Sequence, residues 1–316
     1  MFIQQALQYK HNFGRYLLGV LIIIMAVILG QIPLTVAILM KGGLDVVGMD
    51  EAKMLGMLES NLSLFLLLLT FAVGLAALFF VVKFIHYQPI KAVTTTRNKV
   101  DWGRFFFAFG LVAIFSIGVT AFDYFSNPED YVVNFKAAPF FIMLVIAVIM
   151  IPLQTSFEEY FFRGYLMQGI GTLVKNKWLP LIITSVIFGG LHFFNPEVTK
   201  LGNIIMIYYI GTGFLLGIMT LMDEGMELAL GFHAGNNLVT AVLVTADWTA
   251  FQTNSLLKDV SDPTAGMDIL IPIFVVYPLF LFIMSKKYNW SDWTGKLFGK
   301  VEQPIIENIP TEIENL

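Results

Sequence analysis

Residues 138–174 read APFFIMLVIAVIMIPLQTSFEEYFFRGYLMQGIGTLV. The first half is an unbroken apolar run, and about 18 or more apolar residues in succession are enough to cross a bilayer. The second half stays apolar except for Gln154, Glu158, Glu159, Arg163 and Gln168. The apolar residues come in runs, not at the spacing of an amphipathic surface helix. The stretch therefore reads as a membrane-embedded helix that carries charge inside the bilayer.

Seven further apolar segments lie on either side of it. They are Leu17–Met40, Leu62–Ile85 and Phe105–Phe125 before it, and Leu179–Phe194, Ile204–Met222, Met226–Ala246 and Ile269–Met284 after it. The expected fold is all-α, a polytopic membrane helical bundle of about eight transmembrane helices. Three regions are expected: N-terminal spans over 1–137, a four-span core over 138–246, and a last span with a short acidic tail over 247–316. The tail beyond Lys300 is expected to be disordered. Composition agrees: 57% of the chain is hydrophobic and 13% charged, where soluble domains carry about 25% charged residues. Mean hydropathy is +0.75.

Basic residues set the expected orientation. With the N-terminus in the cytoplasm, eight spans put Lys10, Arg15, Lys83, Lys91, Arg97, Lys99, Arg104, Lys175, Lys177, Lys286, Lys287, Lys296 and Lys300 on the cytoplasmic side. Lys41, Lys53, Lys136, Lys200 and Lys258 fall outside. Thirteen against five supports a multi-pass cell-membrane protein with both termini in the cytoplasm. All five tryptophans (Trp102, Trp178, Trp248, Trp290 and Trp293) fall at span ends, where indole rings favour the interface. There are no cysteines, so disulfides, thiolate metal sites and cysteine nucleophiles are excluded. No basic stripe of the kind nucleic acid needs is present.

A charge near the bilayer centre costs about 2.5–3.5 kcal/mol on insertion scales, so such groups are paired, functional or both. Glu159 and Arg163 are four apart and share a helix face, which reads as a structural pair. Glu158 lies about 100° around the helix and is free to face something else. His11 and His86 lie at cytoplasmic span ends and read as solvated. His192 and His233 lie inside predicted spans, and His233 shares a face with Asn237, four residues on. Taken alone, each could be an interhelical hydrogen-bonding residue. Gly231 and Gly235 would let a neighbouring helix approach closely. If the chain turns at Lys175, Glu158 lies seventeen residues before the turn and His192 seventeen after it. A helical hairpin would then place both at a similar depth, up to roughly 25 Å from the turn, with His233 roughly 13 Å into its own span.

Glutamate, two histidines and asparagine suit hydrolysis. A carboxylate can act as general base on water with an imidazole assisting, and an imidazole and an amide can donate to an oxyanion. Glu158, His192 and His233 would also make a two-histidine, one-carboxylate zinc set. The helical H-E-x-x-H pattern is absent, and Ser185 makes no triad with His192.

Glu158-Glu159-x-x-x-Arg163, Phe188-x-x-x-His192 and His233-x-x-x-Asn237 fall in this order on successive spans. They resemble the three motifs of the CAAX protease and bacteriocin-processing (Abi) family of membrane proteases, over about Ala138 to Ala246. The resemblance implies an intramembrane endopeptidase. In it Glu158 would activate water, His192 would assist, His233 and Asn237 would form the oxyanion hole, and Glu159 and Arg163 would orient the site. The implied partners are a peptide or membrane-protein substrate, lipidated in some members, and the bilayer itself. No cofactor is expected on the glutamate reading; zinc, held by Glu158, His192 and His233, is the alternative. Two other functions compete: a non-catalytic immunity or signalling protein, and a proton-coupled transporter, which the absence of an inverted repeat disfavours.

Overall fold

The computed structural model describes residues 1–263, 266 and 269–302. The expected disordered tail lies, from residue 303 on, outside the described residues. A 3₁₀ turn (Ile3–Gln8) leads into α1 (Phe13–Gly42), followed by the short α2 (Glu51–Gly56) and by α3 (Ser60–Phe80), which runs on into a π turn, Val81–Ile85. The short α4 (Ile90–Thr94) precedes α5 (Trp102–Ser126). The opening stretch forms α6 (Ala137–Glu159), a π turn (Tyr160–Leu166) and α7 (Met167–Val174). Then come α8 (Trp178–Leu191), α9 (Pro196–Leu201), α10 (Ile205–Asp223), α11 (Glu227–Leu243), α12 (Tyr277–Tyr288) and α13 (Trp293–Phe298).

The protein is an all-α polytopic membrane bundle. Each of the eight predicted segments forms a helix, the seventh ending at Leu243 rather than Ala246. Five helical stretches are long and apolar enough to cross a membrane: Phe13–Val46, Ser60–Ile85, Trp102–Ser126, Ala137–Val174 and Ile205–Asp223. The other three are shorter: Trp178–Phe194, α11, and α12 with the π turn Pro272–Val276 before it. Side chains such as Leu21, Ile114, Phe122, Val145 and Phe282 are exposed, as expected of helices whose outer faces meet lipid. Hydropathy did not mark one addition, a three-stranded sheet. In it β1 (Tyr131–Val133) runs antiparallel to β3 (Leu257–Asp259), and β2 (Val244–Thr245) runs parallel to β3.

Small residues set the closest helix contacts. A Cβ on Gly231 would lie 2.0 Å from the backbone oxygen of Phe105, and one on Gly235 would lie 3.0 Å from that of Phe109, so α11 rests directly on α5. Gly213 meets the Ser185 backbone in the same way, joining α10 to α8. The turn expected at Lys175 is present. Lys175 ends α7 with φ of 57°, in the left-handed region, and α8 starts at Trp178.

The end of the bundle that carries this turn is tied by ions the sequence did not single out. Asp223 accepts from Arg97 at 2.7 Å and from the Trp290 indole at 3.0 Å, and Arg104 lies 3.0 Å from it. Glu227, in the first turn of α11, accepts from Arg97 at 3.1 Å and from the Asp101 amide at 3.2 Å. The N-terminal arm is also seated here: the Gln168 amide donates to the carbonyls of Phe2 and Ala92, at 3.2 and 2.9 Å. His86, expected to be solvated, is buried. Its Nδ1 donates to the Lys10 carbonyl at 2.6 Å and its Nε2 faces the Tyr165 hydroxyl at 2.9 Å. Burial pushes its pKa below the usual histidine range. The arm folds back over the span end, which hydropathy alone does not reveal.

Candidate active site

Glu158 and Glu159 are the last α-helical residues before the π turn that begins at Tyr160. Such turns insert an extra residue into the helical ladder and recur at functional sites. Both carboxylates are buried, as are Arg163, Gln154 and His233. The two neighbours have different surroundings. Glu159 Oε1 accepts from Arg163 at 3.0 Å and from His233 Nδ1 at 2.8 Å. Arg163 also donates to the Gly213 carbonyl of α10 at 3.1 Å, and its guanidinium lies 4.4 Å from the centre of the Phe188 ring. One ion pair thus joins α6, α8, α10 and α11.

Glu158 faces α11 differently. Its Oε1 accepts from the Gln154 amide at 2.6 Å. Its Oε2 is buried, has no hydrogen-bond donor among the described residues, and lies 3.4 Å from His233 Nε2. Asn237 is brought in through Gln154: its amide donates to Gln154 Oε1 at 3.2 Å, and Asn236 in turn donates to Asn237 Oδ1 at 3.1 Å. Gln154 was visible in the sequence only as a polar interruption. Its spacing, four residues before Glu158 on one helix face, is the signal that could have marked it.

Glu158, Glu159, Arg163, His233 and Asn237 therefore come together, directly or through Gln154. His192 lies beside them, in the 3₁₀ turn that ends α8. Its Nδ1 donates to the Phe188 carbonyl at 2.8 Å, and its ring stacks on Tyr209 with centroids 4.4 Å apart. The α8 residue that reaches the ion pair is Phe188, whose ring centroid is 5.0 Å from that of His192 and 5.9 Å from that of His233. Similar depth in a hairpin does not decide which side chain turns inward. With His192 placed this way, the zinc set of Glu158, His192 and His233 is not gathered, and no three metal-ligand side chains cluster among the described residues.

Residues 137–239 match the family described as type II CAAX prenyl endopeptidase Rce1-like. The chain is also 32% identical to the uncharacterised protein YyaK of Bacillus subtilis (strain 168) over 240 residues, which is 75% of this chain and 79% of that protein. The chain belongs to the Rce1-like family. No solved structure matches it. The Rce1-like match covers α6 to α11 almost completely and contains every residue of the cluster around Glu158. The family is one of CAAX-type proteases within the membrane, and this chain is an integral membrane protein of that kind.

Proposed function

We propose that this Rce1-like protein is an endopeptidase that hydrolyses a peptide bond of a membrane-associated substrate with water activated by Glu158. One observation carries the reading: Glu158 is held through Oε1 by Gln154, while its buried Oε2 has no donor among the described residues and faces His233 Nε2 at 3.4 Å. Glu159 also has one oxygen without a donor, but its other oxygen is engaged by both Arg163 and His233, whereas Glu158 is paired with no arginine or lysine.

In this reading Glu158 Oε2 takes a proton from water as the water oxygen bonds to the scissile carbonyl carbon. The carbonyl electron pair moves to oxygen. There His233, as an imidazolium whose Nδ1–H is held by Glu159, donates through Nε2, and so does the second N–H of Asn237, the one not given to Gln154. Glu159 holds the His233 ring through Nδ1, and Arg163 holds Glu159. His192 has Nδ1 committed to Phe188, which leaves Nε2 to assist the water. As the carbon–nitrogen bond breaks, the proton taken by Glu158 passes to the departing amine. No metal takes part. The substrate is a peptide or membrane protein, and the name of the family points to prenylated C-termini as the first class to test. The chain is inserted with both termini in the cytoplasm.

The test uses purified protein in lipid nanodiscs with fluorogenic peptides ending in a CAAX sequence, farnesylated or bare. Glu158→Ala and His192→Ala abolish cleavage while the proteins still insert; normal cleavage by the E158A protein rejects the reading. Activity persists after chelation to a metal-free state, and loss with recovery on added zinc would overturn the metal-free mechanism. The native chain lacks cysteine, so single Lys286→Cys and Lys200→Cys variants report orientation. An impermeant maleimide added to intact cells labels only the second.

A further inference from the structure

The geometry points to Gln154 as a positioning residue of the hydrolytic site, one that fixes Glu158 and Asn237 relative to each other through a single side-chain amide. The inference rests on the reading of Glu158 as the base.

The hydrogen-bond sense of the amide follows from chemistry. An ionised carboxylate only accepts, so the Gln154 atom 2.6 Å from Glu158 Oε1 must be its NH₂. Gln154 Oε1 must then face Asn237, and it can only accept, so Asn237 presents its own NH₂ at 3.2 Å. That leaves Asn237 Oδ1 to accept from Asn236 at 3.1 Å. The chain of donors runs one way: Asn236 to Asn237 to Gln154 to Glu158. Three consequences follow for the site. Glu158 cannot turn Oε1 toward substrate, so Oε2 is the working oxygen. The Asn237 amide cannot flip, because a flipped amide would place oxygen against oxygen. Its remaining N–H is therefore held ready to donate.

Burial strengthens the case. Gln154 is only 4% exposed and follows the unbroken apolar run Ala137–Leu153 of its helix. Its side chain makes no other hydrogen bond among the described residues than these two. Both lead into the cluster, one along its own helix α6 and one across to α11. A glutamine placed only to join two helices would not need to terminate on a carboxylate whose other oxygen is left free.

The experiment compares kcat, KM and thermal stability for wild type, Gln154→Met, Gln154→Glu and Glu158→Ala on the same reporter peptide in nanodiscs. The methionine variant keeps shape and burial but has no amide. It loses on the order of 10- to 100-fold in kcat, the usual scale of a lost charge-assisted hydrogen bond. Its KM stays within about twofold and its melting temperature near that of wild type. The Q154E protein is impaired at neutral pH, where two carboxylates meet. Its kcat relative to wild type rises as pH falls and the pair takes up a shared proton, because a protonated acid can donate as the amide did. A purely structural glutamine would give equal relative rates at every pH. Wild-type kcat in Q154M, or a flat relative profile in Q154E, overturns the proposal. Full activity in E158A instead overturns the underlying base assignment, so the two failures are distinguishable.

Discussion

Glu158 and Glu159 are adjacent and identical in chemistry, yet the structure gives them opposite mutant phenotypes. Replacing Glu159 by alanine removes the acceptor of Arg163, which is fully buried and would keep only the Gly213 carbonyl. Stranding one partner of a buried ion pair costs about 3–5 kcal/mol. The same change frees His233 Nδ1, and that hydrogen bond adds about 1 kcal/mol. Replacing Glu158 costs far less, because it strands only the Gln154 amide, about 1 kcal/mol, and removes a buried charge. The expected outcome is an E158A protein that melts within a few degrees of wild type and does not cleave, and an E159A protein whose melting point drops by roughly 10 °C or more. Tryptophan fluorescence and size-exclusion profiles in detergent, taken on both proteins at one lipid ratio, measure the difference. Arg163→Met in the E159A background tests the cause. Removing the stranded charge should restore much of the stability and none of the activity. Equal melting points for E158A and E159A would refute the division of the two carboxylates into a working group and a structural one.

Three further outcomes follow from packing and charge. Gly231→Ala places a methyl carbon 2.0 Å from the Phe105 carbonyl oxygen, so α5 must move and the protein loses on the order of 1–3 kcal/mol. Gly110→Ala, which meets nothing within 4 Å, leaves the melting point unchanged. Glu227→Ala breaks the link from α11 to Arg97 and the Asp101 amide and costs about 2 kcal/mol, less than a fully enclosed pair because the arginine is partly exposed. Protection of the loop before α5 from hydrogen exchange falls with it. His86 has its pKa lowered chiefly by burial, so below about pH 6.5 the unfolded chain takes up a proton that the folded chain does not. Stability therefore falls as pH drops from about 6.5 toward the folded value. Melting curves of wild type and His86→Gln between pH 5 and 8 check this, since the variant loses that part of the slope.

The bundle was legible because long apolar runs leave few alternatives, and the Glu159–Arg163 pair because i,i+4 spacing fixes it on any helix. What escaped was set by tertiary placement. His86 carries the signature of a solvated span end, and only the folding back of Lys10 over it makes it a buried residue. Asp223 and Glu227, on either side of the turn between α10 and α11, gather Arg97, Arg104 and Trp290 from segments far away in sequence, which spacing along the chain does not show. The small sheet has strands of two or three residues, too short for any alternation to show. In the site itself, the residue types could be named from sequence, but not their order of contact. His233 rather than His192 stands against Glu158, because Phe188 is the side chain of α8 that turns toward the ion pair.

The cost of charge within a bilayer explains why the site takes this form. Three ionisable groups in one span would be hard to insert if each were independent, at about 2.5–3.5 kcal/mol apiece. Glu159 and Arg163 neutralise each other at 3.0 Å, and Gln154 satisfies half of Glu158 with a neutral donor. Each carboxylate keeps one oxygen without a hydrogen-bond donor among the described residues, but that of Glu158, Oε2, lies 3.4 Å from an imidazole nitrogen whose ring is held from its far side. Placing the free Glu158 oxygen against a braced imidazole, with its other oxygen held by Gln154, fits a group that must take a proton and give it back without moving.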